Sequence, residues 1–543
     1  MKRVSLSILI LALLFIGRLG GVNHMDLLFR IDGEFNGSYM GHTMVSLDYN
    51  CDGYDDLIAS AMQWNPESTH HPSTAWGKLY YYMGGPGFDD VAEYAFSGDW
   101  VKQYIGFLNN AGDVNGDGKD DFLMFTYSRN IPGETGEFFS LYVFYGKEVP
   151  TGQPDYILNV AYADVVNQFG AVPLGDINND GFDDLGLRYN ILGKSYQEAA
   201  VLLGSSSGPN EHILFPSNYG PQSYLQLNGI GDVNGDGVDD FHLLSQDANG
   251  KRYTVFFGSD AFPELDSLIV CDNYQGLTVH EACPVGDVNG DETDDFFLFL
   301  NESANIWFGN SDLSPAWDVV LYGTYFGTQG SHPTLRHGDF NGDGYEDIVG
   351  TDHDDAYWDG KAGIWLGGAQ FNGTVDLTIY PPQWRGMVFG WGKAAGDFNS
   401  DGYCDLAISS PFFDGMPASW PGFIYIYSGN AELKDTTVSN HDDVSPPVNE
   451  SSKWDVLISP NPVSVNNQDL SIHFIGEGYQ KLQNARIELF NIRGQMISDF
   501  VVDHVSLASG QYSTRFHELS SGVYFLKISD MRGRVTSRKF IVK

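Results

Sequence analysis

Aspartate and asparagine recur at fixed spacing in seven nine-residue segments of the chain. In the second copy, Asp113, Asn115 and Asp117 occupy positions 1, 3 and 5, Gly118 occupies position 6 and Asp121 position 9. Alternate carboxylate and amide oxygens that converge from one tight turn suit a hard cation such as calcium, which takes roughly six to eight oxygen ligands. The glycine permits the positive φ that folds such a loop back on itself. The spacing therefore predicts a calcium cage, to which the residue at position 7 adds its backbone carbonyl.

All seven copies keep this pattern, so we expect up to seven bound Ca²⁺ ions. In the order of loop positions 1, 3, 5, 7 and 9, the predicted ligands are Asp48, Asn50, Asp52, Tyr54 and Asp56; Asp113, Asn115, Asp117, Lys119 and Asp121; Asp176, Asn178, Asp180, Phe182 and Asp184; Asp232, Asn234, Asp236, Val238 and Asp240; Asp287, Asn289, Asp291, Thr293 and Asp295; Asp339, Asn341, Asp343, Tyr345 and Asp347; and Asp397, Asn399, Asp401, Tyr403 and Asp405.

Two other interpretations of these loops fit less well. An EF-hand needs a bidentate Glu at position 12 and flanking helices, whereas the second copy has Met124 there and is followed by a strand-like apolar run. Metal-free turns would not require a carboxylate at position 9, where it repels those at positions 1 and 5. The fifth copy has Glu292 in place of the glycine, which costs on the order of 1 kcal/mol at positive φ and predicts the weakest site.

Composition restricts the possible classes of function. A formal charge of −42 over 543 residues argues against binding to nucleic acid or to an anionic membrane. Residues 1–21 have two basic residues, an apolar run and then small residues, which predicts a secretory signal peptide; the apolar run is too short to span a bilayer. Of four cysteines, Cys271 and Cys283 are close enough in sequence to form a disulfide, but free buried thiols are equally compatible with the sequence.

The acidic loops recur in repeats that contain short strand patterns. Each loop follows one apolar strand and precedes another, an aromatic strand ending in glycine comes next, and a fourth strand follows. Four short strands per repeat are typical of a propeller blade, so seven loops predict an all-β fold with a seven-bladed β-propeller over residues 22–430. The last repeat lacks its fourth strand, and residues 27–32 form a spare strand before the first loop. We expect that N-terminal strand to complete the seventh blade and close the ring.

These segments resemble the FG-GAP repeats of integrin α-subunit propellers and of bacterial exported proteins. Phe169-Gly170 and Phe389-Gly390 match the Phe-Gly element, residues 112–118 match the calcium loop, and residues 409–411 resemble the Gly-Ala-Pro element. Repeats four and five lack a clear Phe-Gly element. The resemblance extends over roughly residues 26–430 and implies a calcium-binding propeller.

A polar linker is predicted at residues 431–453, followed by a small β-sandwich at 454–543. Ser459-Pro460-Asn461-Pro462, residues 490–495 and the end of the chain at 539–543 resemble the type A sorting domain of the type IX secretion system. The resemblance implies that this domain engages the secretion machinery and directs export across the outer membrane. The resemblance also implies that the domain is then removed or exchanged for a surface anchor, so we expect a secreted protein attached to the outer cell surface. An ordinary sandwich with a binding role is the alternative.

Aromatic residues recur in the long connections between the second and third strands of blades 6, 7, 1 and 2. In an antiparallel blade these connections lie on the face opposite the calcium loops, so that face is the candidate ligand surface. Exposed rings among polar residues suit stacking on sugars or anchoring a protein. Alternatively, the rings pack their own loops. The candidate ligand-binding residues, of which Trp384 lies on the connection into blade 7, are Trp64, Trp76, Tyr127, Tyr357, Trp358, Trp384 and Trp420.

The sequence contains no nucleophile elbow, zinc motif or phosphate-binding loop, and we assign no catalytic residue. It therefore predicts a non-catalytic binding or adhesion protein whose ligand is a polysaccharide or a protein. A polysaccharide lyase or glycoside hydrolase is the alternative, and it would need a pair of facing carboxylates or a base and an arginine on the ligand surface. A purely structural matrix protein is a third interpretation.

Overall fold

A computed structural model gives the architecture of most of the chain. It describes residues 24–67, 75–98, 107–129, 137–161, 170–190, 197–209, 211–214, 224–247, 250–274, 279–300, 303–322, 335–352, 360–382, 388–411, 421–434, 454–459, 469–476, 484–491, 496–503, 511–515, 519, 522–530 and 535–542. All regular elements in these ranges are β-strands. The same ranges hold no helix that could cross a membrane.

Seven antiparallel sheets of four strands make up the seven-bladed propeller, which confirms the predicted fold class. In blades 1 to 6 the four strands follow one another in sequence from the innermost to the outermost. Blade 1 comprises β2 (Met40–Leu47), β3 (Asp56–Ala61), β4 (Lys78–Tyr82) and β5 (Tyr94–Ser97). Blade 2 comprises β6 (Phe107–Gly112), β7 (Asp121–Arg129), β8 (Glu137–Phe144) and β9 (Tyr156–Ala161). Blade 3 comprises β10 (Gly170–Gly175), β11 (Asp184–Asn190), β12 (Gln197–Leu203) and β13 (Glu211–Leu214).

The remaining blades repeat the arrangement. Blade 4 comprises β14 (Tyr224–Gly231), β15 (Asp240–Asp247), β16 (Gly250–Phe256) and β17 (Ser267–Tyr274). Blade 5 comprises β18 (Val279–Gly286), β19 (Asp295–Leu300), β20 (Ser303–Trp307) and β21 (Val319–Leu321). Blade 6 comprises β22 (Arg336–Gly338), β23 (Asp347–Asp352), β24 (Lys361–Trp365) and β25 (Leu377–Ile379). Blade 7 comprises β26 (Lys393–Gly396), β27 (Asp405–Ser410), β28 (Phe423–Ser428) and the N-terminal strand β1 (Asp26–Asp32).

Strand β1 gives blade 7 its outermost strand and joins the two ends of the ring. It pairs antiparallel with β28, with Ile31 opposite Ile424. The backbone N–H of Gly33 then donates to the carbonyl of Gly422 at 3.0 Å. Because β28 is paired on both sides, blade 7 does not expose it as an open sheet edge.

The hydrophobic core lies between the blades. Alternate side chains of neighbouring sheets meet in seven apolar clusters within the described residues, one at each junction around the ring. At the junction of blades 1 and 2, for example, the Tyr81 and Phe122 rings pack edge to face with centroids 6.1 Å apart. Burial of these residues fixes which face of each sheet meets its neighbour.

Two details of the sequence-based expectations are altered. Tyr127 lies within strand β7, opposite Phe139, because the hairpin between β7 and β8 extends further than the predicted loop. None of the four cysteines, all of which lie in the described ranges, forms a disulfide, so the possible bridge between Cys271 and Cys283 is absent, although both side chains are buried.

Residues 440–543 form a second compact unit that contains two antiparallel sheets. One sheet has three strands in the order β29 (Trp454–Ser459), β30 (Asp469–Gly476) and β33 (Gln511–Arg515). The other has four strands in the order β32 (Met496–Asp503), β31 (Asn484–Asn491), β34 (Gly522–Asp530) and β35 (Val535–Val542). A β-sandwich requires two such sheets, and their packing face to face stays a prediction, as do the boundaries of the linker.

Candidate metal centres and ligand face

Each acidic loop is folded around the carboxylate at position 1. In the fourth loop, one oxygen of Asp232 accepts the backbone N–H of Asp236 at 3.1 Å, and the other accepts that of Gly237 at 2.7 Å. The same two bonds form in all seven loops. The carboxylate at position 5 in turn accepts the N–H of position 7 in every copy. Residues 1, 5 and 7 are therefore held on one side of one turn.

The carboxylate at position 9 lies beneath the loop and is fully buried in every copy, with 0% of each residue exposed. It begins the second strand of its blade, and one of its oxygens accepts the N–H of the glycine that follows the third strand. In blade 4 this bond joins Asp240 to Gly258 at 2.8 Å, and the second oxygen of Asp240 accepts the N–H of Val233 at 3.1 Å. The bond to the glycine is present in all seven blades.

Burial raises the pKa of the position-9 carboxyls, and repulsion from the carboxylates at positions 1 and 5 raises it further. Backbone N–H donors offset part of this effect. The pKa reaches about 8 for Asp121, Asp184, Asp240, Asp295 and Asp347, and about 7 for Asp56 and Asp405. A buried group of this kind is costly to keep ionised unless a cation compensates it.

The loops fit a calcium ion by the chemistry of their donors. A carboxylate offers about four lone-pair sites, and the backbone N–H groups use only part of that capacity. Within the described chain, the second oxygen of Asp56, Asp184 and Asp405 is buried without a hydrogen bond of normal length. The same ranges contain no three His, Cys, Asp or Glu side chains already gathered into a metal-binding cluster. The residues that would hold the ion are those at positions 1, 3, 5, 7 and 9, and the ion would supply the missing positive charge.

The fifth loop keeps the same fold despite its substitution. Glu292 takes φ = 70°, and its N–H still donates to Asp287 at 2.8 Å. A residue with a Cβ is strained in this region, so the predicted weakness of the fifth site has a local cause.

Backbone hydrogen bonds connect each loop to the next blade. The carbonyl of Val233, at position 2 of the fourth loop, accepts the N–H of Asn310 in blade 5 at 2.9 Å. An equivalent bond is present at all seven junctions, and the one that closes the ring runs from Gly85 in blade 1 to Phe398 in blade 7 at 2.9 Å. The donor always follows the glycine that is bound to the position-9 carboxylate. Each blade thus binds its own acidic loop through the glycine and the acidic loop of the preceding blade through the next residue.

The residue at position 8 forms a second link across the junction. Asp239 in blade 4 accepts the N–H of Asp176 in blade 3 at 2.9 Å. Asp183, Asp294 and Asp55 do the same for their preceding blades. The last of these bonds joins blade 1 to Asp397 of blade 7 at 2.8 Å and helps to close the ring.

Sequence reasoning missed these connecting residues. Position 8 is acidic in six of the seven loops, with Cys404 as the exception, and the residue before position 1 is glycine in six, with Leu47 as the exception. A Cβ on Gly175, one of these glycines, would lie 2.2 Å from the Asp239 carboxylate, which explains the preference. The recurring acidic residue and glycine were visible in the sequence, but no local rule indicated that the acidic residue bonds to the neighbouring blade.

The described part of the predicted ligand face contains Trp64 and Trp76, both half-buried. The indole N–H of Trp64 donates to Glu34 at 2.6 Å, and the Lys78 ammonium lies 4.9 Å from the centroid of its ring. Lys78 also pairs with Glu34. Trp64 therefore secures the segment between β1 and β2, and a contact of Trp64 or Trp76 with a ligand stays a prediction.

For the other predicted ligand residues, contact with a ligand also stays a prediction. Tyr127 belongs to strand β7. The remaining four, which lie outside the described residues, are Tyr357, Trp358, Trp384 and Trp420.

Comparisons with protein families agree with both parts of this architecture. Residues 389–427 match the FG-GAP repeat, and residues 457–543 match the secretion system C-terminal sorting domain. The first match covers the Phe-Gly element, the acidic loop, β26, β27 and nearly all of β28 in blade 7. The second covers most of the C-terminal unit and identifies an exported protein that engages the secretion machinery.

The chain is similar to integrin α-subunits. It is 25% identical over 220 residues to integrin alpha-5 of Xenopus laevis, which is 38% of this chain and 20% of that protein. It is 29% identical over 207 residues to integrin alpha-PS2 of Drosophila melanogaster, which is 35% of this chain and 14% of that protein. The chain thus spans a fifth or less of the length of these relatives.

Among solved structures, the chain aligns with an α-L-arabinanase of Penicillium chrysogenum complexed with arabinobiose. The identity is 13%, the TM-score is 0.34, and the alignment covers 74% of this chain and 98% of that one. A similarity at this level does not bear on activity.

Proposed function

We propose that this exported FG-GAP-repeat propeller is a calcium-stabilised, non-catalytic binding module that holds a polysaccharide or protein ligand at the bacterial cell surface. The observation that carries the proposal is that the two faces of the propeller carry different kinds of loop. One face is occupied by seven acidic loops that bond to one another around the whole ring. The opposite face carries the connections between second and third strands, whose composition and length vary from blade to blade.

In this proposal the acidic loops stabilise the junctions between neighbouring blades. The position-9 carboxylate accepts a hydrogen bond from the glycine that follows the third strand of its own blade. The residue after that glycine donates its backbone N–H to the acidic loop of the preceding blade. An ion that compensates the buried carboxylate therefore stabilises the junction as well as the loop. A rigid ring presents the ligand face without a large ordering cost on binding.

Elemental analysis tests the metal assignment. The purified exported chain, dialysed against calcium, should retain up to seven Ca²⁺ ions. Asp236→Ala removes one ligand of the fourth loop from an exposed position and should lower the count by one. Absence of retained calcium from the native chain would overturn the metal assignment.

Binding and catalysis are separated by one paired experiment. The protein is applied to an array of bacterial and plant polysaccharides and to a panel of extracellular proteins, and each bound polysaccharide is then assayed for new reducing ends. We expect binding without new ends. New reducing ends would replace the binding function with the hydrolase or lyase alternative, and the absence of any ligand would leave a structural matrix role.

A further inference from the structure

Two exposed aromatic rings flank a buried histidine at the centre of the ligand face. Phe107 is 56% exposed and Trp391 is 37% exposed, whereas His42 between them is only 6% exposed. The His42 ring lies 5.5 Å from Phe107, edge to face, and 5.9 Å from Trp391, measured between ring centroids. We call these three residues the central aromatic platform.

The platform is built from three different blades. His42 lies near the start of β2, Phe107 begins β6, and Trp391 lies two residues before β26. These are the innermost strands of blades 1, 2 and 7, and each runs from the ligand face towards its acidic loop. Their first residues therefore meet around the axis of the ring, on the face opposite the loops.

Side-chain hydroxyls fix the backbone that carries both exposed rings. The hydroxyl of Thr43 accepts the N–H of Leu108 at 3.2 Å, next to Phe107. The hydroxyl of Ser409 accepts the N–H of Gly392 at 2.9 Å, next to Trp391, and the backbone of Ser409 bonds to Gly390 and Gly392. These contacts join the Phe-Gly and Gly-Ala-Pro-like elements of blade 7, so the repeat signature positions Trp391.

The approach of the blades at this point is close. A Cβ on Gly392 would lie 2.8 Å from the carbonyl of Gly41 in blade 1. With the backbone held on both sides, the two rings are presented in a fixed arrangement. A fixed platform loses little conformational freedom when a ligand binds.

A cavity of about 520 Å³ extends along the same strands. Its lining begins at Met44, Asn109 and Ala394, two or three residues beyond the platform on each strand, and reaches the other innermost strands of the ring. A volume of roughly 300–1,000 Å³ is typical of sites for small ligands. The platform thus lies next to a concave, partly polar space.

We propose that the central aromatic platform binds a neutral sugar ring, stacked by its C–H face on Phe107 and Trp391. This inference rests on the proposed binding function and names its ligand class. Aromatic side chains bury roughly 150–250 Å² each, so the exposed parts of the two rings offer about 200 Å². A stable protein interface needs roughly 800 Å² from each partner, whereas one or two sugar rings are covered by an area of this size.

Charge selects the neutral sugars among glycans. The chain carries a formal charge of −42, and seven bound Ca²⁺ ions would offset 14 of these charges and still leave about −28. An acidic polysaccharide would be repelled over the surface as a whole. A neutral glycan gains the stacking energy without that electrostatic repulsion.

The test measures binding of neutral hexasaccharides to the full exported chain by calorimetry. The probes are β-1,4-glucan, β-1,4-xylan, β-1,4-mannan and α-1,4-glucan hexasaccharides, with hexagalacturonate as the acidic comparison. The variants are Phe107→Ala, Trp391→Ala and the conservative Trp391→Phe. The matched control is Trp317→Ala, which removes an indole that is 51% exposed in the connection before β21, on the side of the acidic loops.

We expect at least one neutral hexasaccharide to bind and hexagalacturonate to bind at least tenfold more weakly. Phe107→Ala and Trp391→Ala should each raise the Kd at least tenfold. Trp391→Phe should retain most of the affinity, and Trp317→Ala should leave it unchanged. Melting temperatures of the platform variants within a degree of the parent would exclude misfolding as the cause.

Two results would overturn the platform while leaving the proposed function intact. One is binding of a neutral hexasaccharide with the same Kd in the parent and in both alanine variants. The other is failure of all neutral probes to bind while the chain still captures an acidic glycan or a protein from the panels. Failure to bind any member of those panels would instead overturn the proposed function itself.

Discussion

Replacement of Asp240 by alanine separates the two roles that the structure gives to the position-9 carboxylate. Asp240 is fully buried and accepts the N–H groups of Gly258 and Val233. It is also a predicted calcium ligand. The first role should be visible without metal, and the second only when calcium is present.

The expected magnitudes differ enough to distinguish the roles. Loss of Asp240 leaves two buried N–H groups without their acceptor, at about 1–3 kcal/mol each. Burial raises the pKa of this carboxyl to about 8, so the effect is measured in EDTA at about pH 4, where the cost of ionising it is small, and unfolding there should become easier by about 2–6 kcal/mol. Calcium at a hundred times its Kd stabilises a folded site by about 2.7 kcal/mol. The variant lacks that stabilisation, so the difference from the parent should widen by about 3 kcal/mol in calcium.

Asp236→Ala is the matched control in the same loop. Asp236 is exposed and accepts the N–H of Val238 at 3.1 Å, a bond that water can replace. In EDTA this variant should unfold within about 0.5 kcal/mol of the parent, as exposed substitutions usually do. In calcium it should show the same loss of about 3 kcal/mol, because it too removes one ligand.

Urea unfolding followed by tryptophan fluorescence measures all three proteins in both buffers. Equal differences in calcium and in EDTA would refute the metal role of the loop. A loss below about 1 kcal/mol for Asp240→Ala in EDTA at about pH 4 would refute the argument from buried N–H groups.

Three further predictions concern the ring and its closing segment. Gly258→Ala places a Cβ 2.2 Å from the Asp239 carbonyl oxygen and should lower the free energy of unfolding, measured in urea, by at least about 1–3 kcal/mol. In the control Gly87→Ala the added Cβ has nothing within 4 Å, so the free energy of unfolding should change by less than about 0.5 kcal/mol. Deletion of residues 22–32 exposes the edge of blade 7, so the protein should form dimers or larger species in size-exclusion chromatography with light scattering, and a monomer would contradict the closure. Burial alone would raise the pKa of Glu34, but hydrogen bonds from its lysine and tryptophan partners bring the pKa below 4.5. Its contribution to stability should therefore be present above pH 4.5 and lost as the pH falls further, so that Glu34→Gln melts below the parent at pH 7 but not in strong acid; a constant difference would contradict this.

The sequence by itself determined the features that depend on nearest neighbours along the chain. The loop ligands from Asp232 to Asp240 lie within nine residues, and their carboxylates fold the turn through bonds of two to five residues in range. The alternation of apolar residues and the repeat length fixed the strands and the number of blades. The FG-GAP and sorting-domain resemblances followed from the same short segments and agree with the family matches.

Only the tertiary structure decided which residues meet across the ring. Asp55 accepts a hydrogen bond from Asp397, 342 positions away, because closure makes blades 1 and 7 neighbours. His42, Phe107 and Trp391 come together for the same reason, although no spacing in the sequence connects them. Burial of apolar surface between the sheets brings such distant residues into contact, and that burial depends on the whole ring and not on any single repeat.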